Sequence, residues 1–325
     1  MTRAPIRWGI IGCGDVTEVK SGPGFQKAEG SALVAVMRRD RAKAEDYARR
    51  HGVPRVHDTV EALVDDPQVD AVYIATPPST HCPLALRVAA AGKPCLVEKP
   101  MALNHAECLK MIDGFRTAHV PLWVAYYRRA QERFNRIREM IGQGELGRIT
   151  SVHAQLLYPL VSGEATEDWH FDPAISGGGL IFDVGSHAVD LLDFFFGPIA
   201  GVQACAVNTG GAYPAEDVTV STFRFAGDLL GTGVFNFNAP EKLDRITVIG
   251  SDAKLTTPIF SDDDVVVQRA GETIRYPFVR PDHVHQPLIQ TIVDELRSSG
   301  RCESTGTSGA RASWVLDRCV RSFYE

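Results

Sequence analysis

The chain has 325 residues, 44% hydrophobic and 23% charged, with 34 Lys plus Arg against 40 Asp plus Glu for a formal charge of -6. At roughly 100–200 residues per domain, that length predicts two domains, each able to bury a core of its own. The absence of a basic block argues against a nucleic-acid surface, no apolar run approaches the ~20 residues that span a bilayer, and seven scattered cysteines without a C-x-x-C pair or metal-ligand spacing fit reduced thiols and no metal.

In chain order, the N-terminal part alternates short apolar runs with segments of helical period. Strands are predicted at 6–11, 32–37, 71–75, 95–98 and 122–125, and helices at 41–51, 82–91 and 104–118. Strands that are apolar throughout and separated by helices predict β-α-β units with both sheet faces covered. The expected fold is therefore α/β, with a Rossmann-type doubly wound parallel sheet over residues 1–125.

The first strand runs into Gly12-Cys13-Gly14-Asp15-Val16-Thr17. Gly12 and Gly14 match the first two glycines of G-x-G-x-x-G, which permit a tight turn and a close approach of the backbone to a pyrophosphate. Asp15 and Val16 then open a helix whose N-terminus stabilises that charge. Thr17 stands where glycine or alanine is usual. An acidic residue about 20 positions past the glycines would favour NAD; here stand Arg38 and Arg39. A guanidinium can fork onto a 2′-phosphate, which favours NADP. The alternative is that the arginines are solvated while Asp40 caps the next helix.

Two more turns lie at the carboxyl ends of predicted strands, where open α/β sheets bind ligands. They are Thr76-Pro77-Pro78-Ser79-Thr80-His81 and Glu98-Lys99-Pro100-Met101. With the glycine turn, in this order and spacing, they resemble the Gfo/Idh/MocA family, named for glucose–fructose oxidoreductase and inositol dehydrogenase. The resemblance implies that Thr76 and Pro77 pass beside the pyrophosphate and nicotinamide ribose. His81 either contacts the cofactor or packs at the following helix start. Lys99 corresponds to the family's catalytic lysine, whose ammonium favours a developing alkoxide, and Glu98 holds it by charge pairing. Pro100 biases Lys99 toward an extended backbone.

The second half, 126–325, changes texture. A helix is predicted at 134–141, then strands at 149–157, 202–207, 218–225, 230–237, 245–249 and 265–268, with turns at Asp228 and 250–252 and closing helices at 286–297 and 310–323. Short connections between alternating strands predict an α+β domain built on a large, mainly antiparallel open sheet. Within Gly177-Gly178-Gly179-Leu180-Ile181-Phe182-Asp183-Val184-Gly185-Ser186-His187, a helix would put Asp183 and His187 on one face. A carboxylate one turn from an imidazole orients it as a general base. The resemblance makes this pair the second-domain active-site motif, whereas Asp190 and Asp193 read as structural.

Trp169 and His170 precede the glycines where relatives often carry Trp-Arg. Tyr127 and Arg128 follow the last strand of the parallel sheet, where relatives place substrate contacts. Domain-junction salt bridging is the alternative for the arginine. His283 and His285 read as surface histidines.

The function expected is an NAD(P)-dependent oxidoreductase acting on a sugar, cyclitol or related polyol. His187 is the acid/base, Asp183 orients it, and Lys99 stabilises the oxygen. One rival reading is a glycoside-cleaving enzyme that recycles its NAD. Another is a non-catalytic NAD(P)-binding sugar-response sensor, which has no use for a proton-transfer set. The expected partners are the small substrate and a second copy of the chain. No nucleic acid and no membrane are expected, and assembly is as a homodimer or homotetramer through the C-terminal sheet. The run 8–11 is too short for a signal-peptide core, which makes the expected location cytoplasmic.

Overall fold

Six strands form the first sheet of the computed structural model, which describes residues 4–325. They are β1 (Ile6–Ile11), β2 (Ser31–Met37), β3 (Arg55–His57), β4 (Ala71–Ile74), β5 (Cys95–Val97) and β6 (Leu122–Val124). All pair in parallel in the order β3-β2-β1-β4-β5-β6. Strand order reverses beside β1, the switch point at which such sheets take dinucleotides. Every residue of β4, β5 and β6 is buried, because helices cover both faces. Helix Arg41–His51 shows how local chemistry sets its bounds. The Asp40 carboxylate accepts the Lys43 N–H at its start, and Gly52, at φ +64°, ends it. β3 and helix Val60–Val64 escape the sequence pattern because both are short, and β3 is half-buried with a basic residue at each end.

The chain divides into two compact units. The first comprises Met1–Ala102, Ala106–Gln131 and Pro281–Ala310. A sequence boundary at 125 therefore leaves out a segment that returns from far along the chain. The cause is helix Gln286–Leu296, whose Leu288, Ile289, Ile292 and Val293 form one apolar stripe. They are buried in the same core as Trp8, Phe25, Tyr73 and Trp123.

The second unit, Leu103–His105, Glu132–Arg280 and Arg311–Glu325, carries eight strands. These are β7 (Ile149–Leu157), β8 (Ile199–Val207), β9 (Val218–Phe225), β10 (Leu230–Asn236), β11 (Leu243–Gly250), β12 (Ala253–Thr257), β13 (Val265–Arg269) and β14 (Glu272–Tyr276). Their order is β14-β13-β12-β11-β7-β10-β9-β8, antiparallel except where β7 meets β10. Alternation is plain on β9: Thr219, Ser221, Phe223 and Phe225 are buried, whereas Val220, Thr222 and Arg224 are exposed. β12 and β14, only five residues each and rich in polar side chains, lack the signal that marks the other strands.

Candidate active site

In the first unit the glycine turn has the form its sequence requires. Gly12 has φ +92°, and a Cβ there would lie 2.6 Å from Thr76 Cγ2 and 2.9 Å from the Ala75 carbonyl oxygen. Only glycine lets the chain cross this close to the end of β4. A Cβ at Gly14 would meet nothing nearer than the Gly12 oxygen at 4.0 Å, so the turn leaves open space there. Gly14 is also the N-cap of helix Asp15–Val19 and has no side-chain cap. Open space at an uncapped helix start fits a pyrophosphate. Asp15 is exposed, Val16 half-buried, and Thr17 fully buried with its hydroxyl donating to the Gly14 carbonyl at 2.7 Å. Cys13 is buried and its thiol is pushed up to about 11 by desolvation, so it stays protonated.

The two arginines after β2 part ways. Arg38 is half-buried and its Nη1 donates to the Cys13 carbonyl at 3.0 Å, whereas Arg39 is exposed. Asp40 is occupied as a helix cap.

The turns after β4 and β5 are tied together by His81, the first residue of helix His81–Ala90. Its Nε2 lies 2.7 Å from the Thr76 carbonyl oxygen and its Nδ1 lies 3.0 Å from that of Pro100. Burial pushes this imidazole below its ordinary range. His81 is thus a strut between two turns at the carboxyl ends of the strands, with Pro77 beginning the short turn before it.

Glu98 is a buried carboxylate held from three sides. The Tyr73 hydroxyl and His285 Nε2 (3.0 Å) both reach its Oε1, and the Lys99 backbone N–H donates to its Oε2 at 3.1 Å. Burial alone would raise Glu98, but the hydrogen bond and charge of His285, with the charge of Lys99, outweigh it and hold the group at about 2. The Tyr127 ring packs on His285 with centroids 4.5 Å apart, and the buried Arg128 guanidinium lies 4.7 Å above Tyr127.

His285 corrects the sequence reading. It is 1% exposed rather than a surface histidine, while His283 is half-buried, with its Nε2 2.7 Å from the Lys27 amine. The sequence held one usable signal: His285 stands immediately before the apolar stripe that docks in the core.

In the second unit, the glycine run is explained by what presses on it. A Cβ at Gly178 would lie 2.4 Å from the Phe182 ring, and one at Gly179 would lie 2.2 Å from the Glu216 carbonyl oxygen. The Gly179 N–H donates to Glu216 Oε1 at 2.7 Å, and Tyr324 donates to Oε2 at 2.6 Å. After the glycines comes one wide π-helical turn, Ile181–Gly185, and then α-helix Ser186–Phe196. A uniform α-helix over Asp183 and His187 is therefore corrected: Asp183 sits in the wide turn and His187 in the first α turn. Such insertions are frequent at functional sites. Asp183 is half-buried and His187 only 4% exposed, edge-on to Phe260 at 5.5 Å.

Phe260 was not among the expected residues. Its loop is held by Asp244, whose carboxylate accepts the backbone N–H groups of Ile259, Phe260 and Ser261 at 2.6–2.9 Å. Asp193 has the structural role expected of it, taking Arg311 in a two-pronged pair at 2.7 Å and 2.7 Å. His170 Nδ1 is hydrogen-bonded to Asp168, and the Trp169 and His170 rings stack at 3.6 Å. Among the described residues, no helix is long and apolar enough to cross a membrane. Among those residues, no group of three or more His, Cys, Asp or Glu is placed to hold a metal.

Residues 6–126 match an oxidoreductase family with an NAD-binding Rossmann fold, and residues 134–256 match the GFO/IDH/MocA C-terminal domain. The chain is 36% identical to Oxidoreductase P35 of Formosa agariphila over 317 residues, 96% of this chain and 97% of that one. It is 32% identical to 1,5-anhydro-D-fructose reductase of Ensifer adhaerens over 322 residues, 95% and 93% of the two chains. Its fold is shared with the aldose-aldose oxidoreductase of Caulobacter crescentus, solved with glycerol. That match has a TM-score of 0.88 at 24% identity and covers 98% of this chain and 97% of that one.

Proposed function

The chain belongs to the Gfo/Idh/MocA family of oxidoreductases, and on that premise we propose that it moves a hydride between a nicotinamide cofactor, NADP in preference to NAD, and a carbon of a sugar, cyclitol or related polyol. When bound at the Gly12–Gly14 turn, the dinucleotide supplies the hydride acceptor or donor. In the oxidation direction His187 takes the proton of the substrate hydroxyl. The Lys99 ammonium stabilises the charge that grows on the oxygen, and Asp183 orients substrate and imidazole. In reduction the same groups act in reverse, with His187 as the acid. Trp169, His170, Tyr127 and Arg128 are assigned to substrate contact, the aromatic faces suiting the C–H face of a sugar ring.

The observation that carries this reading is the support beneath Lys99. It leaves the strand end from a buried carboxylate held by three donors, and a lysine kept only for solubility needs no such anchor. Two of the proteins it resembles bear the names of an anhydrosugar reductase and an aldose oxidoreductase, which supports the substrate class. Arg38, beside the glycine turn with only Nη1 engaged at Cys13, supports the choice of NADP. The exposed side of the eight-stranded sheet, with Val207 and Val220 about half exposed, is the face proposed to meet a second copy.

The test is turnover on a polyol and sugar panel after cofactor binding is measured by fluorescence. Lys99→Met is expected to lower turnover by ~10²–10³-fold and His187→Ala by ~10²–10⁴-fold, with dinucleotide affinity nearly intact. Wild-type turnover in either variant would refute its assigned role.

A further inference from the structure

We propose that His285 is a positioning residue for Lys99, acting through the buried carboxylate of Glu98. Glu98 Oε1 receives two side-chain donors that come from distant parts of the chain. Tyr73 lies within β4, and His285 stands at the start of helix Gln286–Leu296, 187 residues beyond Glu98. With that oxygen engaged on both sides the carboxylate cannot swing, and Oε2 is presented to the Lys99 backbone N–H. The backbone from which the Lys99 side chain departs is thereby fixed at the strand end.

The chemistry of the imidazole supports this assignment. Its Nε2 faces Glu98, whereas Nδ1 is buried without a hydrogen-bond partner. The ring directs its Nε2 at the carboxylate, which can only accept, so that nitrogen donates. The Tyr127 ring closes over it, so His285 is built to hold Glu98 rather than to meet solvent. The charged and titratable groups around the carboxylate are Tyr73, His81, Lys99 and His285, with Arg128 beyond Tyr127. The apolar stripe Leu288, Ile289, Ile292 and Val293 drives this segment into the core of the first unit. Docking that stripe and aligning Glu98 are consequently one event.

The importance of this alignment for turnover rests on the function proposed above, so the test has one arm that needs neither cofactor nor substrate. In that arm, acetic anhydride acetylation of individual lysines at fixed pH is followed by peptide mass spectrometry, with exposed Lys254 as internal reference. Loss of one donor to a buried charge is worth ~10–100-fold. His285→Leu should raise the rate of Lys99 acetylation by about threefold or more, as the backbone from which the Lys99 side chain departs loosens. His285→Gln, which retains an N–H, should stay near wild type, and the Lys254 rate should not move.

In the second arm, H285L should lower kcat by ~10–100-fold with dinucleotide Kd within about twofold, and H285Q should restore most of it. Unchanged or slower Lys99 acetylation in H285L, or an equal rise at Lys254, overturns the proposal. If H285L does not fold, Tyr73→Phe removes the other donor from the same oxygen and should raise Lys99 acetylation less, with an unchanged rate overturning it. Wild-type turnover of Lys99→Met would instead refute the catalytic reading, while the acetylation arm still decides the role of His285.

Discussion

Arg38 reaches back from the end of β2 to the glycine turn, where its Nη1 donates to the Cys13 carbonyl at 3.0 Å. This holds a guanidinium beside the turn, while the neighbouring acid, Asp40, is spent on capping helix Arg41–His51. Hydrogen bonds from arginine to a phosphate are worth about 1.5–3 kcal/mol each. Arg38→Ser should therefore weaken NADPH binding by roughly 10–100-fold and NADH binding by far less, measured by fluorescence titration. Equal loss for both cofactors would mean that Arg38 serves the turn alone.

The glycine run before the π-helical turn offers a second test. An Ala Cβ at position 179 would meet the Glu216 carbonyl oxygen at 2.2 Å, too close for any rotamer change to relieve. Overpacking of this kind costs about 1–3 kcal/mol. Gly179→Ala should lower the melting temperature by several degrees and turnover with it, since Asp183 follows four residues on. Gly142→Ala, where a Cβ meets nothing within 4 Å, is the matched control and should leave both unchanged.

Asp193 is 4% exposed and takes both prongs of Arg311. Removing Arg311 takes both prongs from a buried charge, which costs more than the pair itself contributes. Arg311→Met should cost about 3 kcal/mol in denaturant unfolding. The doubly neutral Asp193→Asn with Arg311→Met should recover part of that loss. A double variant less stable than the sum of the two singles would contradict this account.

Glu216 gives a stability dependence on pH whose sign can be worked out. Burial raises its proton affinity in the folded chain, against the hydrogen bonds from Tyr324 and the Gly179 N–H. Between the ordinary carboxyl range and its raised folded value, the folded state binds more protons than the unfolded. The stability this contributes is present at low pH and lost as pH rises. Glu216→Gln, which keeps an oxygen for Gly179, should therefore melt higher relative to wild type at pH 7–8 than at pH 4. Melting temperatures of both proteins across that range check it, and a difference that shrinks toward pH 8 would count against it.

Much of this molecule is written in local sequence. The glycine turn, Asp40 with Gly52 around their helix, the strand ends at Thr76 and Lys99, and the alternation on β7, β9 and β10 all follow from periods and special residues spanning a few positions. Local rules are strong there because a strand buried on both faces must be apolar and a tight turn must have glycine. The same rules carried the Rossmann sheet, the mainly antiparallel second sheet and the family resemblance.

Tertiary packing decided the rest. That His285 is buried against Glu98 depends on a helix docking 187 residues away, and a single histidine in a polar stretch carries no mark of such a partner. Phe260 meets His187 from a loop in which Asp244 gathers three backbone N–H groups, and the wide turn at Ile181–Gly185 interrupts what periodicity presents as one helix. Hydrophobic period specifies which face of an element is buried. It is silent on which distant polar group completes a buried hydrogen bond, because that choice is made only when the cores close and each desolvated donor must find an acceptor.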